Sequence, residues 1–351
     1  MRPISIVGLF LAVGMTAIAI WQISESSDTI SEGRPMVVPT VASGGPIAVT
    51  VESGQNPGEI GDMLEGLGVI VSGDQFKTLV ALLGYDRVLQ AGEYEFDLAT
   101  PVLEIVYNLR RGEVATRMIT VVEGWRLEQV ADALAEQGIP RQEFLAAAKV
   151  GQYAFDFLAG LDPEQSLEGF LFPSTYIIGP SDTAADFIQL MLQAFDESLP
   201  PSLREEATQG GLTLLEVLTI ASIVEREAMV DRERPIIAQV FLMRLSLGMR
   251  LEADPTVQYV IAGDPASVQL YGYWKQGLTE EDLAVDSPYN TYAVSDLPPG
   301  PIANPGLASM IAVIRPADTD YLFFVATLDG SHAFAETFDE HLENVNRYQG
   351  R

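Results

Sequence analysis

Carboxylates are the side chains in this sequence that are best suited to acid and base chemistry. The chain has no cysteine and only two histidines, His332 and His341, but it has 49 Asp and Glu residues. These counts exclude a cysteine nucleophile and a three-histidine zinc site. We therefore expect acid and base catalysis to depend on carboxyl groups, and we expect both lone histidines to be structural.

Glu227 is the leading candidate, near the end of a helix predicted from TLLEVLTIASIVEREA. Thr213 followed three residues later by Glu216 is a capping-box pattern, which predicts the start of that helix. The predicted helix places Glu227 on one face with three apolar residues, Val217, Ile220 and Val224. A carboxyl group partly desolvated there has a raised pKa and stays protonated near neutral pH, as a general acid must.

Two alternatives for this helix stay open at the level of sequence. Glu225 lies away from the apolar face, which makes it the weaker candidate for the acid. Glu227 could instead be a surface carboxylate that forms an ion pair with Arg232 or Arg234. Spacing alone does not decide between a catalytic acid and such a surface pair.

Three further segments carry polar and aromatic side chains that suit a sugar. The Asp254-Pro255-Thr256 turn signal predicts a loop or helix start after the helix expected at 235–247. The segment 287–306 is rich in Pro, Gly, Asn and Tyr, and a long ordered loop of this kind is usually functional. The segment 166–178 adds a carboxylate and aromatic rings, although most such rings are core residues. The candidate sugar-binding residues are Glu168, Tyr176, Asp254, Thr256, Gln258, Tyr289, Asn290 and Tyr292.

An internal repeat lies upstream of these candidates. TVESG at 50–54 precedes GEIGDMLEGLGVI, and TVVEG at 120–124 precedes a similar run ending in EQVADALAEQGI. Each copy predicts a strand, a glycine turn and an amphipathic helix. Two copies are too few for a solenoid, so the repeat predicts small α+β modules. A strand at 91–96 and a helix at 100–110 are expected between the copies.

The first 46 residues indicate that the rest of the chain is exported across a membrane. Residues 4–23 read ISIVGLFLAVGMTAIAIWQI without a charge, which is long enough to cross a bilayer as a helix. Arg2 precedes this run and acidic residues follow it, so the positive-inside rule places the N-terminus in the cytoplasm. A cleaved signal peptide is the alternative, because 17–19 resembles a cleavage site. We favour an uncleaved anchor, since apolar residues continue past that site, and a tether at 24–46 rich in Ser, Gly and Pro.

The charge of the whole chain excludes one class of partner. The formal net charge is -29 at pH 7. Binding to nucleic acid needs a basic surface that neutralises phosphates. We therefore expect no nucleic-acid partner.

Six motifs in order give the chain a specific resemblance. They are EGWRLEQVADAL, LEGFLFPSTY, ASIVEREA, RLSLGMRLEADPTVQYV, YNTYAVSDLPPGPIANPG and HAFAETFDEHLENV, spanning 123–345. Together they resemble the YceG-like endolytic murein transglycosylases, also called MltG. In that family the catalytic Glu corresponds to Glu227, while Arg226 replaces a Lys and Ala228 replaces a common Thr.

The resemblance implies an α+β fold and a domain order. It implies a cytoplasmic tip at 1–3, a transmembrane helix at 4–23 and a linker at 24–46. A LysM-like substrate-binding module is expected at 47–117, a second repeat-like α+β segment at 118–160 and the catalytic domain at 161–351. The body of the chain would be periplasmic and anchored in the inner membrane.

The resemblance also implies a reaction. Lytic transglycosylases cut the β-1,4 bond between N-acetylmuramic acid and N-acetylglucosamine, with one carboxyl group as acid and then base. No metal or organic cofactor is needed, and penicillin-binding peptidoglycan synthases are the implied protein partners. Two alternatives remain. One is a hydrolase that uses Glu227 with Asp254 or another acid, and the other is a non-catalytic peptidoglycan-binding scaffold.

Overall fold

The computed structural model describes residues 45–98, 100–112 and 116–350. The predicted transmembrane helix at 4–23 and nearly all of the linker at 24–46 lie outside these ranges. Among the described residues, no single helix has the length and apolar character of a membrane span. One bent pair of helices, 201–209 and 214–227, meets that criterion only when its two members are taken together, across a 94° bend.

The first α+β module contains a two-stranded sheet and three helices. Its elements are β1 (Ile47–Val51), α1 (Pro57–Gly66), α2 (Gly73–Leu82), β2 (Gly92–Phe96) and α3 (Val102–Arg111). β1 and β2 pair antiparallel. The two helices α1 and α2 approach closely because Gly61 faces Gly73, where a β-carbon on either residue would lie 2.7 Å from the backbone of the other. This module has a hydrophobic cluster of its own.

The second copy of the repeat has the same order of strand, two helices and strand. Its elements are β3 (Arg117–Thr120), α4 (Leu127–Glu136), α5 (Arg141–Ala147) and β4 (Thr175–Ile178). β3 pairs antiparallel with β4, so this pair joins residues on both sides of the domain boundary expected after residue 160. One hydrophobic cluster also extends from Ile119 to Val313. The second copy therefore shares its core with the region that follows it.

The region after β4 is mainly helical. Its helices are α6 (Ala184–Ser198), α7 (Pro201–Gln209), α8 (Leu214–Glu227), α9 (Arg234–Ser246), α10 (Asp254–Ile261), α11 (Pro265–Tyr271), α12 (Glu280–Leu283) and α13 (Leu307–Ile314). α8 contacts α7, α9, α10 and α13, and every residue from Val217 to Val224 is buried. The middle of α8 is thus buried on every side, whereas the sequence predicts burial of one face only.

A hairpin and a helix close the chain. Both are predicted from the sequence, where an apolar run at 321–326 is followed by a glycine turn, a second strand at 332–334 and a helix that includes 340–348. They are β5 (Phe323–Ala326), β6 (His332–Ala335) and α14 (Phe338–Gln349). The strands pair antiparallel with Phe324 opposite Phe334. The Phe324 ring contacts Phe241 of α9 edge to face, with ring centroids 5.9 Å apart. These contacts hold the hairpin against the helical region. With its helices and small antiparallel sheets, the described part of the chain is an α+β fold, as predicted.

Candidate active site

The C-terminal end of α8 positions Glu227. The helix begins with the predicted capping box: the Thr213 hydroxyl accepts a hydrogen bond from the Glu216 backbone N–H (3.2 Å), and the Glu216 carboxylate accepts one from Thr213 N–H (2.7 Å). At the other end, Ala228 is extended and Glu227 is the last helical residue. The negative end of the helix dipole lies there, so it opposes ionisation of this carboxyl group.

Glu227 lines a cavity of about 360 Å³ between α8, α9, the start of α10, the C-terminal hairpin and α14. The other polar residues that line this cavity come from separate parts of the chain and are Arg244, Glu252, Asp254, Tyr292, His332, His341 and Gln349. Val325 and Val345 contribute apolar surface. The site is therefore built from residues more than 100 positions apart, and it combines acidic, basic and hydroxyl groups.

The environment of Glu227 favours its protonated form. Burial and, to a lesser extent, the nearby Asp254 carboxylate raise the pKa of Glu227 to about 8, although the charge of Arg226 partly opposes both effects. A carboxyl group with a pKa of about 8 is about 90% protonated at pH 7. Glu227 can therefore donate a proton at neutral pH, which is what general-acid catalysis requires.

Glu225 occupies a different environment from Glu227. Its carboxylate pairs with Arg234 (3.2 Å) and accepts hydrogen bonds from Gly306 N–H (3.0 Å) and the Ser309 hydroxyl (2.7 Å). Arg234 is thereby committed to Glu225 and Asp231. Among the described residues, no cation lies within ion-pair distance of Glu227. The surface ion pair that the sequence left open for Glu227 is thus made by Glu225 instead, and it is buried.

Asp254 and Tyr292 lie together in the same cavity. The Tyr292 hydroxyl donates to Asp254 Oδ1 at 2.6 Å. Asp254 is the first residue of α10, where the positive end of the helix dipole favours a carboxylate. Burial and Asp254 both raise the pKa of Tyr292, so its hydroxyl keeps its proton and remains a donor.

Three other sugar-binding candidates make hydrogen bonds within the protein. The Thr256 hydroxyl donates to Ala253 O (2.7 Å) and lies 2.9 Å from the Thr291 hydroxyl. The Asn290 side-chain amide donates to two backbone carbonyls in the segment 283–285, and Gln258 donates to Lys275 O. These bonds hold together the segments that carry Asp254 and Tyr292, away from the cavity lining.

The remaining candidates also lie outside the Glu227 cavity. Tyr176 packs in the core against Phe187, with its hydroxyl donating to Phe172 O. Tyr289 packs against Tyr259 at 5.0 Å between ring centroids. Glu168 lines a separate cavity of about 230 Å³, where burial raises its pKa to about 8. Of the nine predicted site residues, the structure brings together Glu227, Asp254 and Tyr292.

Glu168 is a junction between three segments of the chain. Its carboxyl oxygens accept from the Leu127 backbone N–H at 3.1 and 3.2 Å, at the start of α4. The Asn304 side chain donates to Glu168 Oε1 at 3.2 Å and to Trp125 O at 3.0 Å. Glu168 therefore orients the second repeat copy against the loop before α13.

Four cavity residues were not identified from the sequence. Glu252 has a φ of +53°, a left-handed conformation that is rare outside glycine and concentrated at functional sites. Its carboxylate pairs with Arg244 at 3.3 Å. His332 Nδ1 forms a hydrogen bond with the Glu233 carboxylate at 2.8 Å. Burial and the charge of Arg244 lower the pKa of His341. The motifs RLSLGMRLEADPTVQYV and HAFAETFDEHLENV contain all four residues, but no local pattern places them beside Glu227.

A comparison with known families assigns the chain. Residues 49–347 match the YceG-like family. The chain belongs to the YceG-like family. That match extends from within β1 to within α14.

The named relatives of this YceG-like chain come from bacteria. A protein of Bacillus subtilis named endolytic murein transglycosylase is 32% identical, covering 86% of this chain and 84% of the relative. A protein of the same name from Streptococcus pneumoniae serotype 2 is 30% identical over 85% of this chain, which spans 58% of that longer relative. A solved YceG-like protein of Listeria monocytogenes is 32% identical with a TM-score of 0.56, covering 85% of this chain and 98% of that structure.

Proposed function

We propose that this YceG-like chain is an endolytic murein transglycosylase in which Glu227 acts first as the acid and then as the base. The observation that carries this proposal is the state of Glu227: a carboxyl group without an ion-pair partner among the described residues, in a cavity that raises its pKa to about 8. The names of the Bacillus and Streptococcus relatives support the same activity.

The proposed reaction uses one carboxyl group twice. Glu227 protonates the oxygen of the β-1,4 bond between N-acetylmuramic acid and N-acetylglucosamine, and that bond breaks. The resulting carboxylate then takes the proton from the muramic C6 hydroxyl, whose oxygen attacks the anomeric carbon. The product is a 1,6-anhydro end, and Glu227 regains its proton. Since the nucleophile comes from the substrate, a second carboxylate at hydrolase spacing is not needed.

Hydrolysis is the competing reaction because Asp254 lines the same cavity as Glu227. A glycoside hydrolase needs two carboxyl groups, and the second one activates water or forms a covalent intermediate. The Asp254 carboxylate accepts a hydrogen bond from the Tyr292 hydroxyl (2.6 Å), which occupies one of its two oxygens. This favours an electrostatic role for Asp254 over a role as base or nucleophile.

The test is cleavage of isolated, uncrosslinked glycan strands by the wild type and by Glu227→Gln. We expect anhydro ends from the wild type and a loss of cleavage in the variant, which should remain folded. Glu136→Gln is the matched control, since Glu136 is an exposed carboxylate at the end of α4. Cleavage by Glu227→Gln at the rate of the wild type contradicts the assignment of Glu227. Absence of cleavage by both proteins supports the scaffold role instead.

We also propose that the body of the chain is periplasmic, anchored by residues 4–23, with residues 47–117 as a LysM-like glycan-binding module and peptidoglycan synthases as partners. The apolar run and the charges around it support the anchor. Family resemblance supports the module and the partners. Protease treatment of spheroplasts should degrade the body of the chain. Full protection of the body would contradict the orientation.

A further inference from the structure

Arg226, which precedes Glu227 in the sequence, is a cationic residue with no anionic partner among the residues that the structure describes. We propose that the Arg226 guanidinium is a binding site for a carboxylate of the substrate, contributed by the stem peptide that peptidoglycan carries on muramic acid. This inference rests on the proposed function, since it assigns a subsite next to the proposed catalytic acid. It implies that strands bearing peptides are better substrates than bare glycan.

Two neighbouring groups fix the Arg226 guanidinium in place. It stacks over the Trp274 ring, 4.1 Å from the ring centroid, and the Trp274 indole N–H donates to Gln129 at 3.0 Å. On Gly124, which has a φ of +77°, a β-carbon would lie 3.1 Å from Arg226 Nη1 and 3.2 Å from its Cδ. Glycine thus leaves the space that the guanidinium occupies, and the group is held ready for a ligand.

Arg226 has no hydrogen bond or ion pair with any residue of the described ranges, and its Nε is buried without an acceptor. The other arginines that are buried or half-buried against the core each pair with a carboxylate: Arg117, Arg126, Arg204, Arg234 and Arg244. Burial of a charge without a partner is unfavourable. A bound anion would remove that cost at Arg226.

The carboxylates adjacent in sequence do not fill this role. Glu225 is engaged by Arg234, Gly306 and Ser309. Glu227 lines the cavity, and its charge interacts with that of Arg226 without direct pairing. The N–H donors of the Arg226 guanidinium are therefore available to a molecule that binds at this site.

The chemistry of a guanidinium selects the ligand. Its planar donors match the two oxygens of a carboxylate, and such bidentate pairs are strong and specific. The net charge of -29 repels anionic groups over most of the surface, so an anionic substrate needs a local cation to bind. The stem peptide carries carboxylates and is attached to the sugar whose glycosidic bond is cut.

The experiment compares two substrates made from one preparation of uncrosslinked strands. One half keeps its peptides. The other half is stripped of them by an amidase, and the lactyl carboxyl groups that the amidase leaves on muramic acid are then converted to amides, so that these bare strands carry no carboxylate. We expect the wild type to cleave the peptide-bearing strands with a kcat/KM higher by roughly tenfold, the size of one charged hydrogen-bonded pair. Arg226→Gln should lose most of that ratio and still cut bare strands, and Arg226→Lys should keep part of it. Arg232→Gln, an exposed arginine nearby, should behave as the wild type.

The ratio between the two substrates separates a binding role from an effect on Glu227. If Arg226 only tunes the pKa of Glu227 or supports folding, Arg226→Gln lowers both activities equally and the ratio stays unchanged, which overturns the inference. A wild type without preference for peptide-bearing strands also overturns it. Failure of the proposed function looks different, because the wild type then yields no anhydro ends from either substrate.

Discussion

Asp254→Asn should shift the pH dependence of cleavage toward acid. The Asp254 carboxylate raises the pKa of Glu227 because a nearby negative charge disfavours ionisation. Asparagine removes that charge and keeps an oxygen that accepts from the Tyr292 hydroxyl, so the geometry at 2.6 Å is conserved. With the charge gone, Glu227 loses its proton at a lower pH.

The size of the shift follows from the exposure of Asp254. A carboxylate beside another typically changes its pKa by about one unit or more, and solvent weakens the effect of an exposed one. Since Asp254 is exposed, we expect the alkaline limb of the profile, near pH 8 in the wild type, to move down by about 0.5 to 1 pH unit.

The assay is kcat/KM for uncrosslinked glycan strands between pH 5 and 10, since this parameter reports the pKa values of the free enzyme. Ser287→Ala, in the same loop as Tyr292, serves as the matched control and should leave the limb in place. An alkaline limb that is unchanged in Asp254→Asn, or that moves toward higher pH, would refute the electrostatic role of Asp254.

Three further predictions concern stability. Glu227→Gln should unfold at higher temperature than the wild type at pH 9 while losing activity. The pKa of Glu227 is about 8 in the folded protein and 4.5 ordinarily, so the free energy of unfolding of the wild type falls as the pH rises between those values. Because Gln cannot ionise, the variant should regain about 1 to 2 kcal/mol after a discount for solvent screening. Equal melting temperatures of the two proteins at pH 9 would count against this. Glu168→Gln should flatten the same alkaline loss, whereas Glu168→Ala should cost about 2 kcal/mol in urea unfolding because Leu127 N–H loses its acceptor. Gly61→Ala should cost about 1 to 3 kcal/mol by clashing with Gly73, while Gly66→Ala in open space should not destabilise the module.

Features encoded over short stretches of sequence could be predicted. The capping box at Thr213 and Glu216 identified the start of α8, and apolar spacing separated Glu227 from Glu225. The C-terminal hairpin and the closing helix were also predicted from residue type and turn signals. Each of these features depends on neighbours within about four residues.

Features that depend on distant partners could not be predicted. Glu225 is buried by Gly306 and Ser309, which lie 81 and 84 residues further along the chain. We expected both histidines to be structural, and no neighbouring residue indicated that His332 and His341 line the same cavity as Glu227. Only the folded chain brings such residues together, because no periodicity links them.

The most direct test of the central claim is the mass of the glycan ends made by the wild type and by Glu227→Gln. The proposed use of one carboxyl group as acid and then base predicts fragments one water molecule lighter than reducing-end fragments, and none from the variant. Reducing ends from the wild type, or anhydro ends from Glu227→Gln at an undiminished rate, would contradict it.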